Sequence, residues 1–444
     1  MRQNLLETYS RQLKVAEAYV AKNFDGKAIS ANTQLTTAVL LDNTNRWLTE
    51  SMGLDNNINP TVRADLGAWK KFCLNLTNIA VPSLIANDLV IVHPMTSYSG
   101  SVAYLEYVAK DTKGGVTEGD VLNSVFGFGA NDAGRMNYTS QIIVEEGDTA
   151  TMDVVEGGLT YVVDGGVDVK TATYKSVMED GSFVYGDTVA EGAVKIAYVA
   201  KQWQMSTVPA DRIPTIGPRM KRIPLVAEPR RIAVRYDQIT AFQAKTDYGF
   251  SLDKQIAEQA CGELAYEIDT EIVDMLYQAA FDHKKADGSE EVLEWSKTLP
   301  VGVSKFEHYN GFLEIVEEAK MIIYNRTRKF HPNYMVIAAD VLPVLKFVNG
   351  FSAVKNAKMN GPYKVGEIDG LDVYVSPLLK SGDFFLGLNG SDMMSSAGVY
   401  APYMAIVPTQ LLGTPDGGMA QGFSTWYAKA LLNKNLLVAG RIVA

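Results

Sequence analysis

Eighteen residues, Pro218 to Arg235, read PRMKRIPLVAEPRRIAVR and carry Arg219, Lys221, Arg222, Arg230, Arg231 and Arg235 against a single acid, Glu228. Guanidinium and ammonium groups at that density bind phosphates or carboxylates. Prolines at 218, 224 and 229 remove backbone donors and rule out a helix, so the stretch is expected to run extended, at a sheet edge or as an exposed arm. Without a helix to read a groove, nucleic acid is a poor fit, and an acidic protein surface is the expected counterpart.

Residues suited to catalysis are scattered. His93, His283, His308 and His331 show no spacing for metal ligation or for a triad, and Cys73 and Cys261 cannot build a thiolate metal site or a disulfide framework. Glu258, Glu263, Glu267, Asp269, Glu271 and Asp274 lie on one long helical pattern, where their spread suggests a polar side facing solvent or another subunit. Gly127-Phe128-Gly129 lacks the third glycine of a nucleotide loop, and no glycine-lysine-Ser/Thr run occurs. Asp148, Asp164 and Asp187 do not follow calcium-loop spacing. No cofactor and no enzymatic chemistry are expected.

The 444 residues are enough for several cores, and 47% hydrophobic with 21% charged content is ordinary for a folded, water-exposed protein. No uninterrupted apolar run approaches the roughly 18 to 20 residues of a membrane helix, and the N-terminus lacks the apolar core of a secretion signal. Synthesis in a reducing cytoplasm is the expectation. A net charge of -10 argues against gripping nucleic acid over the whole surface, although an acidic wall suits a container whose cargo must slide.

Several elements must position these groups. Leu5 to Val20 and Leu35 to Leu48 have helical periodicity, and the Asn-rich Asp55 to Asn59 with Pro60 reads as a hinge. VPSLIANDLVIVHPM, from Val81 to Met95, reads as a helical turn opened by Pro82, then a strand from Leu89 to Val92 closed by Pro94. From about Lys110 to Gln204 the chain has no His, Cys or Pro, and short runs such as Thr160–Val163, Ser182–Tyr185 and Val194–Val199 sit between Gly and Asp turns. That stretch is expected to be an all-β insertion. Ser251 to Ala280 gives a long helix, Phe312 to Arg326 a second, and runs at Tyr334–Ala338, Leu371–Val375, Phe384–Leu388 and Val399–Val407 complete an α+β body.

Three blocks carry a resemblance. Val81 to Met95, then AVRYDQITAFQAKTDYGFSLDKQIAEQACGELAYEIDTEIVDML from Ala233 to Leu276, then Ser391 to Leu437 with Gly398 to Tyr403, Pro408 and Gly422 to Tyr427, resemble in order the major capsid proteins of T-even-like tailed phages. The resemblance implies the Hong Kong phage type of capsid fold. Its implied map is an N-terminal helical region and propeptide over 1–50, an N-terminal arm over 51–98, and an extended loop over 99–109 and 205–236. A β-rich insertion domain follows at 110–204, a peripheral domain with a spine helix at 237–310 and 395–444, and an axial domain at 311–394.

The resemblance further implies a structural protein that assembles with itself into hexamers, and in some relatives pentamers, of an icosahedral shell around double-stranded DNA. Portal, scaffold, vertex and decoration proteins are the implied partners, with no membrane, and the virion is the implied location. Leu48-Thr49-Glu50 resembles the family's Leu-x-Glu maturation motif, which implies cleavage between Glu50 and Ser51. The six cations become expected contacts to an adjacent subunit. Two other readings stand beside this one: an encapsulin-like shell, and a glycan-binding or enzymatic protein using Tyr138, Tyr161 and Tyr185 on the insertion to stack sugars.

Overall fold

The computed structural model describes residues 2–23, 29–51, 84–110, 118–124, 127–128, 141–145, 159–164, 168–177, 183–185, 195–201, 215–247, 249, 252–284, 290–354, 361–392, 395–409, 412–413 and 418–443. The hinge at 55–59, Pro82, Cys73, Tyr138 and residues 202–214 lie outside them. Two compact units result, one from Met1–Val102, Arg222–Asn325 and Phe330–Ala444, the other from Ala103–Lys221 with Arg326–Lys329.

The first unit is α+β and is organised by one helix, Leu252–Phe281. At 1.5 Å per residue its 30 residues run about 45 Å. No proline interrupts it, and its buried side chains recur three or four positions apart: Ala257, Ala260, Cys261, Leu264, Ile268, Ile272, Val273 and Leu276. The N-terminal half packs with Ile406 and Phe423 in a small core, and the C-terminal half joins the main one with Leu84, Leu89, Phe312 and Phe384.

Two sheets flank it. One orders Ile91–Val92, Gly398–Pro408, Gly418–Leu431 and Glu228–Asp237, the first pair parallel and the rest antiparallel. The other has seven strands in the order Val292–Ser296, Val438–Val443, Asp383–Gly387, Tyr334–Ala338, Leu371–Ser376, Tyr363–Ile368 and Ser352–Ala353. Every residue of Tyr334–Ala338 and Asp383–Gly387 is buried, as expected of central strands covered on both faces.

The N-terminal sequence departs from expectation in two places. The Leu5–Val20 periodicity divides into Arg2–Thr8 and Ser10–Asn23 around Tyr9, whose hydroxyl donates to Asp42 at 3.3 Å. In the Val81–Met95 block, Leu89 ends a helical turn, Ala86–Leu89, and only Ile91–Val92 is strand. The apolar run is buried either way, so hydrophobicity alone could not place the boundary. The predicted second helix forms as Ala31–Ser51, and Asn43 Nδ2 ties it to the carbonyls of Met95 and Tyr403, both at 2.8 Å.

The second unit holds a five-stranded antiparallel sheet in the order Gln141–Glu145, Lys195–Lys201, Leu159–Asp164, Asp168–Val177, Phe183–Tyr185. It also holds the residues from Ala103 to Ala109 and from Ile216 to Lys221, which belong to neighbouring strands of a separate sheet.

Candidate assembly interface

In the second unit, the ribbon alternates at period two. Glu106 is buried, and Arg219 Nε and NH2 donate to its Oε2 at 3.1 and 2.8 Å, with Lys221 Nζ at 3.3 Å. Two of the six cations are therefore spent on a carboxylate in their own chain. The opposite face carries Leu105 and Tyr107 on one strand and Ile216 and Met220 on the other, 43 to 59% exposed. An apolar sheet face in water marks an interaction surface. The charges of the ribbon do not mark this face in the sequence; the odd-numbered apolar residues Leu105 and Tyr107 do.

In the first unit, Glu228–Asp237 is the edge strand of its sheet, and its two faces divide the remaining arginines. Ile232 and Val234 turn toward the long helix and pack on Phe423, Leu264 and Ala260. Arg230 shares that face and donates to Glu271. Lys429 Nζ reaches Glu271 Oε1 at 2.6 Å, and the Tyr427 hydroxyl donates to Oε2. Burial disfavours the Glu271 charge, but the bonds from Lys429 and Tyr427 and the charges of Lys429 and Arg230 outweigh it and hold the carboxyl below its usual range.

Arg231 and Arg235 occupy the other face, exposed. The Arg231 guanidinium lies 5.9 Å from the Trp426 ring centroid, a cation–π contact, and it meets no acid among the described residues. Arg222 and Arg235 are exposed and meet no acid among the described residues.

The helix carboxylates do not form one polar side. Asp269 is buried at 7% exposure and accepts the backbone N–H groups of Ile85 at 3.2 Å and Ala86 at 2.9 Å. Burial, with Asp88 nearby, pushes its carboxyl up to about 7 against those two bonds. Glu271 is half-buried in the cluster above, whereas Glu258, Glu263, Glu267 and Asp274 remain exposed. Asp269 fastens the Leu84–Val92 segment to the helix; it faces no nucleophile.

Three of the four histidines are held in structural contacts. His283 Nε2 lies 2.6 Å from the Lys434 carbonyl, His308 stacks on Trp295 at 5.0 Å, and His331 stacks on Tyr324 at 5.0 Å. Burial pushes the Cys261 thiol up to about 12, so it is an inert core residue. Among the described residues, no group of His, Cys, Asp and Glu is arranged to hold a metal ion, and no helix is long and apolar enough to cross a membrane.

Glu50 and Ser51 are the last two residues of the Ala31–Ser51 helix. Proteolysis favours exposed loops, so this bond has to unwind before a protease can take it.

The first unit presents exposed arginines on an edge strand and the second an exposed apolar ribbon face, each a feature of the kind that protein–protein contacts use. Residues 66–441 match the protein family described as major capsid protein Gp23. The chain belongs to that family. It is 24% identical over 390 residues to the major capsid protein of Enterobacteria phage T6, covering 80% of this chain and 76% of that one. The T4 major capsid protein is 23% identical over 397 residues, covering 80% and 73%. Among solved structures, a Microbacterium phage Oxtober96 chain aligns over 81% of this chain and 91% of its own, at 12% identity and a TM-score of 0.39. As a major capsid protein the chain is a structural, non-enzymatic component of a phage shell that assembles with itself, and the sugar-binding and enzymatic readings fall away.

Proposed function

We propose that this capsid protein forms hexamers, and pentamers where no separate vertex protein serves, that close an icosahedral shell around double-stranded DNA of a tailed phage. The family match over residues 66–441 carries the reading. In it, 51–98 is the arm, 99–109 and 205–236 the extended loop, 110–204 the insertion domain, 237–310 and 395–444 the peripheral domain, and 311–394 the axial domain. Synthesis occurs in the host cytoplasm, with portal and scaffold proteins as partners and vertex or decoration proteins added on the shell.

Two features support neighbour contacts. The apolar ribbon face of Leu105, Tyr107, Ile216 and Met220 offers area to bury, and Arg231 with Arg235 offers uncompensated charge. Arg219, Lys221 and Arg230 contribute by holding the strands in shape. Cleavage after Glu50 belongs to maturation, and intact mass of particles tests it: a full-length mass excludes it.

Electron microscopy of the purified chain under assembly conditions is the direct test. Closed shells or capsomer rings are the expected result. A population of soluble monomers alone overturns the proposal.

A further inference from the structure

Three exposed carboxylates lie on one line of the long helix. Glu263, Glu267 and Asp274 are exposed, and at 100° per residue their positions fall within about 40° of one another over about 16 Å. Glu263 and Glu267 have no partner among the described residues, and Asp274 only accepts from Gln278 at 2.7 Å. Glu263 and Glu267 stand one helical turn apart, and like charges at that spacing weaken a helix, so the single chain carries this pair at a loss. Of the nearby cations, Arg230 and Lys429 both pair with Glu271, and Lys429 also lines the cleft beside Asp274, so Glu263 and Glu267 are the carboxylates left unmatched among the described residues.

The complementary surface is on the same unit. Arg231 and Arg235 share the outward face of the edge strand, four residues and therefore about 13 Å apart. Arginine forks match carboxylates in shape as well as charge. The two spacings are close enough for flexible side chains to meet.

We propose that Arg231 and Arg235 of one copy bind the Glu263, Glu267 and Asp274 stripe on the long helix of a second copy. The proposal rests on the reading of the edge strand as an assembly contact and names the surface it meets. Two different patches of one chain make the contact head-to-tail, the geometry that closes rings when the rotation fits. Exposed pairs are screened, so the contact weakens as ionic strength rises.

A charge swap in the full-length chain tests this, with assembly followed by sedimentation and electron microscopy and folding by circular dichroism. Arg235→Glu and Glu267→Arg are each expected to lower the assembled fraction about tenfold in low salt while the monomer stays folded. The double variant, which restores complementarity in every copy, is expected to regain assembly; Glu267→Gln, milder for the helix, is expected to weaken it partially. Should both single variants assemble like the parent, this contact and the edge-strand reading both fail. Should Arg235→Glu block assembly while Glu267→Arg does not, or while the double variant stays unassembled, the helix stripe is not the partner and the edge-strand reading stands.

Discussion

Asp269 and Ala86 are joined by a 2.9 Å hydrogen bond across 183 residues of sequence, so that a carboxylate in the middle of the long helix fixes the start of the Leu84–Val92 segment. The same carboxylate accepts from Ile85, and both its oxygens are occupied. Ion pairs on this helix hold the other side: Glu271 gathers Arg230 and Lys429 from two strands.

Asp269 sets a pH dependence of stability. Its folded value of about 7 lies above that of an unfolded aspartate, so the proton favours the folded state. Stability from this group is greatest below the unfolded value and declines as pH rises through about 7, by up to about 4 kcal/mol across the interval. Urea midpoints of wild type are expected to fall between pH 5 and 8, whereas Asp269→Asn loses that slope; an unchanged slope in the variant contradicts the assignment.

Glu271 works in the opposite sense. Because its folded value is lowered, its contribution is present above the unfolded glutamate value and is lost as pH falls through the lowered one. Glu271→Gln leaves Arg230 and Lys429 facing a neutral amide and is expected to cost about 1–3 kcal/mol at neutral pH in urea titration.

Gly440 pairs with Phe384 across the seven-stranded sheet, and the ring lies over it. A Cβ at this position meets Phe384 Cζ at 2.2 Å, inside a fully buried site. Gly440→Ala is therefore expected to destabilise the first unit by about 1–3 kcal/mol. Thermal unfolding reads this directly, and a neutral substitution means that the ring has room to move.

Glu106 is the buried anion that Arg219 and Lys221 share. Replacing it with Gln is expected to speed amide exchange in 103–109 and 216–221 about tenfold, with little change elsewhere. Uniform exchange rates across the ribbon before and after substitution rule out a clamping role.

Much of the fold was legible. Long helical periodicity located Leu252–Phe281, because a buried face recurs every three to four residues whatever lies beneath it. The sequence marks Tyr334–Ala338 at both ends, since a fully buried strand is a continuous apolar run between turns. The boundary inside Leu89–Val92 was not, because helix and strand bury such a run equally well.

Of the interface, the sequence by itself determined which residues carry charge, that prolines keep Pro218–Arg235 extended, and that the chain resembles a capsid family. Only the tertiary structure decided how those charges are used. Strand alternation sorts residues into two faces, but which face meets the body depends on partners far along the chain. Arg219 finds Glu106 across 113 residues and Arg230 finds Glu271 across 41. Arg231 and Arg235, one pleat away, are left facing water. A pleat turns neighbouring side chains to opposite sides, so identical residues one position apart end as an internal brace and a solvent-facing charge.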